Sequence, residues 1–126
     1  MNKEFIKRWI SALRSGKYSQ GRVYLESSTG EMCCLGVACN LLAEDGILQK
    51  RLNLSAYEFF APDSGMSSMS SLPPAAQKYV GFEDDDRHEA SGGPIDHDGY
   101  TQLWQLNDMA EMTFDEIADV MERHYL

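Results

Sequence analysis

The chain predicts a mixed α+β domain on three observations: apolar residues recur at helical spacing near both ends and in the middle, two short β-like runs flank a Ser-Thr-Gly turn, and no internal repeat is present. Its 126 residues, 43% hydrophobic and 10% aromatic, suit one folded domain over residues 1–126. The architecture expected is a small β-hairpin or sheet packed by an N-terminal helix, a central helix after a cysteine pair, and a C-terminal helix.

Phe5, Ile6, Trp9, Ile10 and Leu13 alternate with Lys3, Lys7, Arg8 and Arg14, which predicts an amphipathic helix over 3–15 that Gly16 stops. Arg22-Val23-Tyr24-Leu25-Glu26 and Glu31-Met32-Cys33, separated by Ser28-Thr29-Gly30, predict a β-hairpin. Cys34, Ala38, Leu41 and Leu42 then follow an i, i+4, i+7, i+8 pattern up to Asp45-Gly46, a second, mostly buried helix with a glycine cap. Residues 47–71 show no single period. Beyond a short strand at Tyr57-Glu58-Phe59-Phe60, they are expected to be loosely structured.

Pro73 and Pro74 open a short helix over 72–80, where a first-turn residue needs no amide donor, and Gly81 ends it. Residues 83–99 hold seven acids (Glu83, Asp84, Asp85, Asp86, Glu89, Asp96, Asp98) against Arg87, with Gly92-Gly93-Pro94, and predict a mobile acidic surface loop. A helical turn or two is expected over 100–106. Thr113-Phe114-Asp115-Glu116 is a capping box, and the helix it opens carries Phe114, Ile117, Ala118, Met121 and Tyr125 on one face.

The three cysteines, Cys33, Cys34 and Cys39, fall within seven residues and make no disulfide framework, which points to a reducing compartment. No apolar signal-peptide core and no 18-residue apolar run is present, so a cytoplasmic protein without membrane contact is expected. The net charge of −9 argues against direct nucleic-acid binding, but it is unevenly spread. Residues 1–22 carry Lys3, Lys7, Arg8, Arg14, Lys17 and Arg22 against Glu4, a local +5, leaving −14 for the rest of the chain.

Cys33-Cys34-Leu35-Gly36-Val37 lies where a strand is expected to hand over to a helix. A thiol there is either a nucleophile activated by the helix N-terminus or a small buried core residue. A cysteine hydrolase would also need a base, and His88, His97 and His124 are poorly placed by sequence for that role. The cysteines lack Cys-x-x-Cys spacing, and Asp96-His97-Asp98 cannot complete a coordination shell alone, so no metal and no cofactor are expected.

Residues 14–22 are more informative, with three cations, an aromatic ring, an amide and two glycines in one short run. Arg14, Lys17, Tyr18, Gln20 and Arg22 could grip an anionic, nucleotide-like ligand, and backbone amides near Cys34 and Gly36 could assist. The alternative is a solvated basic loop paired with acidic residues of the same chain. Asn107 and Asp108 either close a turn or reach the ligand.

Trp9-Ile10-Ser11-Ala12-Leu13-Arg14-Ser15-Gly16-Lys17-Tyr18-Ser19-Gln20, Cys33-Cys34-Leu35-Gly36-Val37 and Leu106-Asn107-Asp108 with Thr113-Phe114-Asp115-Glu116-Ile117-Ala118 together resemble a family of small bacteriophage and prophage proteins. The resemblance implies phage origin and transfers no catalytic residue. Small phage proteins of this kind often blunt host defence, so the function expected is a homo-oligomeric sponge that sequesters a small nucleotide-type immune signal in the infected host. The alternatives are an acidic inhibitor of a host defence protein, possible as a DNA mimic through the acids of residues 83–86, and a cysteine-dependent hydrolase.

Overall fold

Asn2 opens the first helix by accepting the Phe5 amide at 3.1 Å, and α1 (Lys3–Arg14) then keeps Phe5, Ile6, Trp9, Ile10 and Leu13 on one buried face. In this computed structural model, which describes residues 1–83 and 89–126, that helix packs against α2 (Cys34–Glu44), α3 (Pro74–Val80) and α5 (Phe114–Tyr125). The capping box is formed as expected. Thr113 Oγ1 accepts the Glu116 amide at 3.2 Å, and Glu116 Oε1 accepts the Thr113 amide at 3.0 Å. α5 buries Phe114, Ile117, Ala118, Val120, Met121 and Tyr125, mainly along α1. Each large apolar side chain withdrawn from water there contributes about 1.5–3 kcal/mol.

Every residue of α2 from Cys34 through Leu42 is buried, as befits a helix apolar on all sides that runs through the core. Its entry is set by a close backbone approach. A Cβ on Gly36 would lie 1.7 Å from the Leu25 carbonyl oxygen, so only glycine fits there.

Antiparallel strands β1 (Gln49–Asn53), β2 (Ala56–Phe60) and β3 (Ser67–Ser68) form one sheet in that order, with Gln49 opposite Phe60 and Asn53 opposite Ala56. Phe59 and Ala56 anchor β2 in the core, whereas β1 is exposed along its whole length. β1 is fastened by Lys50, whose Nζ donates to Glu26 at 2.7 Å and to Asn40 at 2.9 Å and lies 4.8 Å from the centre of the Tyr57 ring. A second antiparallel pair, β4 (Pro94–His97) and β5 (Tyr100–Gln102), turns through Asp98 and Gly99, both with positive φ. α4 (Leu103–Asp108) follows at once, capped by the reciprocal bonds of Gln102 and Gln105.

The α+β class and the N-terminal, central and C-terminal helices are those the sequence predicts. Three local expectations are corrected. The hairpin across 22–33 reduces to isolated bridges, Glu26 with Met32 and Gln20 with Met32, because the chain bends sharply at Val23 instead of extending. Residues 47–71 contain the three-stranded sheet instead of loose chain. The expected loop over 83–99 holds buried Ala90 and Ile95, a 3-10 turn at Ala90–Gly92 and strand β4; Asp84, Asp85, Asp86, Arg87 and His88 lie outside the described residues. Among the described residues, no helix is long and apolar enough to cross a membrane.

Candidate functional site

After α1 the chain has no regular structure until α2, so its backbone groups must find other partners. Gly21 donates to the Met32 carbonyl at 2.7 Å, and the Met32 amide donates to Ser19 at 2.8 Å. Asn107, fully buried at the end of α4, adds a side-chain hub. Its Oδ1 accepts from the Cys34 amide at 3.2 Å and from Gln20 Nε2 at 2.8 Å, and its Nδ2 donates to the Gly21 carbonyl at 2.8 Å and to Asp108 Oδ1 at 2.7 Å. Both donors and both acceptor positions of the amide are used. Gln20 Nε2 also donates to Met112, and Trp9 Nε1 donates to the Cys34 carbonyl at 3.0 Å.

Asp108 carries the network to the surface. Its Oδ2 accepts the Val23 amide at 3.1 Å, and the Tyr24 amide donates back to Arg22 at 2.9 Å across Val23, whose φ is 75°. An i to i+2 bond over a β-branched residue at positive φ is a strained γ-turn, costing on the order of 1–3 kcal/mol. Asp108 holds this turn at the rim of a cleft.

The cleft has a volume of about 380 Å³ and is walled by Val23, Cys33, Ser70, Ser71, Ser91, Gly92, Gln102, Trp104 and Asp108. Five separate stretches of chain meet there, and four of them are joined by Leu25 N to Met69 O, Leu72 N to Ser91 O and Leu103 N to Gly93 O, at 2.7, 2.8 and 2.7 Å. Gly92 lies tight beneath its neighbours, since a Cβ there would come within 1.8 Å of Gln102 Oε1 and 2.8 Å of Trp104 Cδ1. Burial pushes the Cys33 thiol up to about 12, against the pull of the Gly36 and Leu35 amides. Burial likewise raises Cys34 and Cys39 well above the ordinary thiol range.

The family model of a Domain of unknown function (DUF8296) matches residues 1–125. The chain belongs to this family. No curated protein and no solved structure matches it.

In this DUF8296 chain Gln20, Cys34, Asn107 and Asp108 are joined by direct hydrogen bonds, but the cationic run is divided. Arg14 donates to Asp119 at 2.7 Å and to Glu122 at 3.3 Å, and these bonds, Glu122 first, raise its pKa. Arg14, Tyr18 and Gln20 edge a separate hollow of about 240 Å³ against Thr113, Phe114 and Asp115, and Lys17 is exposed. Tyr18 is half-buried, and burial raises its phenol. Arg22, with half its side chain exposed, reaches Glu111 at 4.0 Å.

Two candidates are corrected by the geometry. The Cys34 amide is already bound to Asn107, and Gly36 donates to Cys33 beneath Leu25, so neither amide is open to a ligand. Cys34 Sγ is buried and donates to the Leu103 carbonyl at 3.5 Å, which places it in the core. Among the described residues, no group of three or more His, Cys, Asp or Glu could hold a metal.

Sequence reasoning missed Trp104, Gln102, Ser70, Ser71 and Ser91. The Asp98-Gly99 dipeptide was the available signal, since it marks a tight hairpin turn and therefore delivers Gln102 and Trp104 to a defined place.

Proposed function

We propose that the protein binds a small nucleotide-type ligand in the cleft beside Trp104 and holds it without converting it. The observation that carries this reading is the cleft itself, about 380 Å³ with an indole, three hydroxyls, an amide and one carboxylate in its wall. That volume and that mix of apolar surface with a few polar groups suit a small-molecule site. Arg22, next to Val23 at the rim and loosely paired, is available to an anionic end. Retention without turnover fits the buried thiols, because a thiol raised to about 12 supplies almost no thiolate at neutral pH.

The resemblance to phage proteins supports sequestration of a nucleotide immune signal as the biological use. One copy leaves the mouth of the cleft open, so a second copy across it would enclose more of such a ligand. Calorimetry against cyclic dinucleotides and mononucleotides, with recovery of the ligand, tests the reading. One saturable site per chain and intact ligand are expected. Trp104→Leu should weaken binding roughly 5- to 150-fold, since stacking on an aromatic contributes about 1–3 kcal/mol. Failure of every phosphorylated ligand to bind, or its recovery in cleaved form, contradicts it.

A further inference from the structure

Among the described residues, no cation lines the cleft. Its polar wall groups are one carboxylate, Asp108, one buried thiol, three hydroxyls, an amide and the Trp104 indole, beside Val23 and Gly92. A phosphate pushed inside would meet like charge in a partly enclosed space, whereas groups that donate hydrogen bonds would be welcome. The end of the ligand that enters must therefore offer donors.

The carboxylate is also fixed in orientation. Oδ1 accepts Asn107 Nδ2 at 2.7 Å and Oδ2 accepts the Val23 amide at 3.1 Å. A carboxylate has about four lone-pair positions, so each oxygen keeps one for a further donor. Two parallel N–H groups in one plane match two such oxygens. Guanine presents that pair, N1–H beside the N2 amine. Adenine presents a donor beside the N1 acceptor, and the acceptor would face the carboxylate. The Trp104 indole supplies a flat partner for either ring.

Resting on the function proposed above, we propose that the cleft takes the base end of its ligand and that the base is guanine-type, stacked on Trp104 with its paired N–H edge on Asp108 and its phosphate outside toward Arg22.

Titration of the protein with GMP, IMP, AMP and inorganic phosphate, followed by tryptophan fluorescence and calorimetry, tests this. GMP should bind at least about tenfold more tightly than AMP, and IMP, which keeps N1–H but lacks the amine, should fall between them. Inorganic phosphate should not displace GMP at matched concentration. Asp108→Asn should weaken GMP binding at least about tenfold and remove its advantage over AMP, because a carboxamide offers one acceptor and one donor where guanine needs two acceptors. Because Asp108 also holds Val23, the GMP, IMP and AMP series on the unaltered protein decides the matter if that variant unfolds. Equal binding of GMP and AMP, or displacement by phosphate, overturns the guanine assignment and leaves the nucleotide-binding reading intact. Binding of none of the nucleotides overturns both.

Discussion

Asn107 shows how one buried side chain can tie three parts of a chain together. It ties the loop after α1, the start of α2 and the end of α4 through partners at Gly21, Gln20, Cys34 and Asp108. Three of those partners lie 73, 86 and 87 residues away in sequence, so Leu106-Asn107-Asp108 could be marked as a polar turn but its role could not be read. Truncation to alanine would leave the Cys34 amide, the Gly21 carbonyl and the Gln20 amide short of a partner. Asn107→Ala should therefore cost about 3–5 kcal/mol in urea unfolding. Asn107→Asp, though the same shape, replaces two donors with acceptors facing Gly21 and Asp108 and should cost as much. A loss under about 1 kcal/mol in both variants would contradict the network.

At the scale of elements, legibility followed burial pattern. α1 and α5 have one buried face each, so their 3.6-residue period stood out, and α2 was marked by Cys34, Ala38, Leu41 and Leu42 at helical spacing, although it is buried on every side. β1 has no buried position, hence no alternation, and its two-residue turn at Leu54-Ser55 lacks the glycine that signals a hairpin. The cleft was illegible for a related reason, since it is assembled from five stretches of chain, two of them in regions expected to be loops.

α2 and its cap also make an alkaline prediction. Each thiol has a folded pKa raised above the ordinary value of 9.0, with burial as the largest cause. Below that value both folded and unfolded states are protonated and the full stability is present. Above it the unfolded chain releases protons that the fold retains, so each thiol removes about 1.4 kcal/mol per pH unit, for Cys33 up to about 12. Urea unfolding between pH 7 and 10.5 should show a plateau and then a steep fall above about 9, shallower by roughly a third in Cys39→Ala. Unchanged stability at pH 10.5 would mean that the thiols are not buried in solution.

For the whole molecule, the charge imbalance along the sequence folds into local pairing. Arg8 meets Asp45 at 2.5 Å and Glu44 at 3.5 Å, Arg14 meets Asp119 and Glu122, and Arg22 approaches Glu111. Exposed pairs of this kind contribute about 0–1 kcal/mol each, so they orient the basic segment more than they stabilise it. They also engage Arg14, which moves the candidate site from the cationic run to the cleft held by Asn107 and Asp108. The most direct test is amide NMR of the nitrogen-15-labelled protein titrated with its tightest-binding nucleotide. The largest shifts are predicted at Val23, Cys33, Ser71, Ser91, Gly92 and the Trp104 indole. Shifts confined to Arg14, Lys17, Tyr18 and the start of α5, with the cleft unmoved, would contradict the assignment.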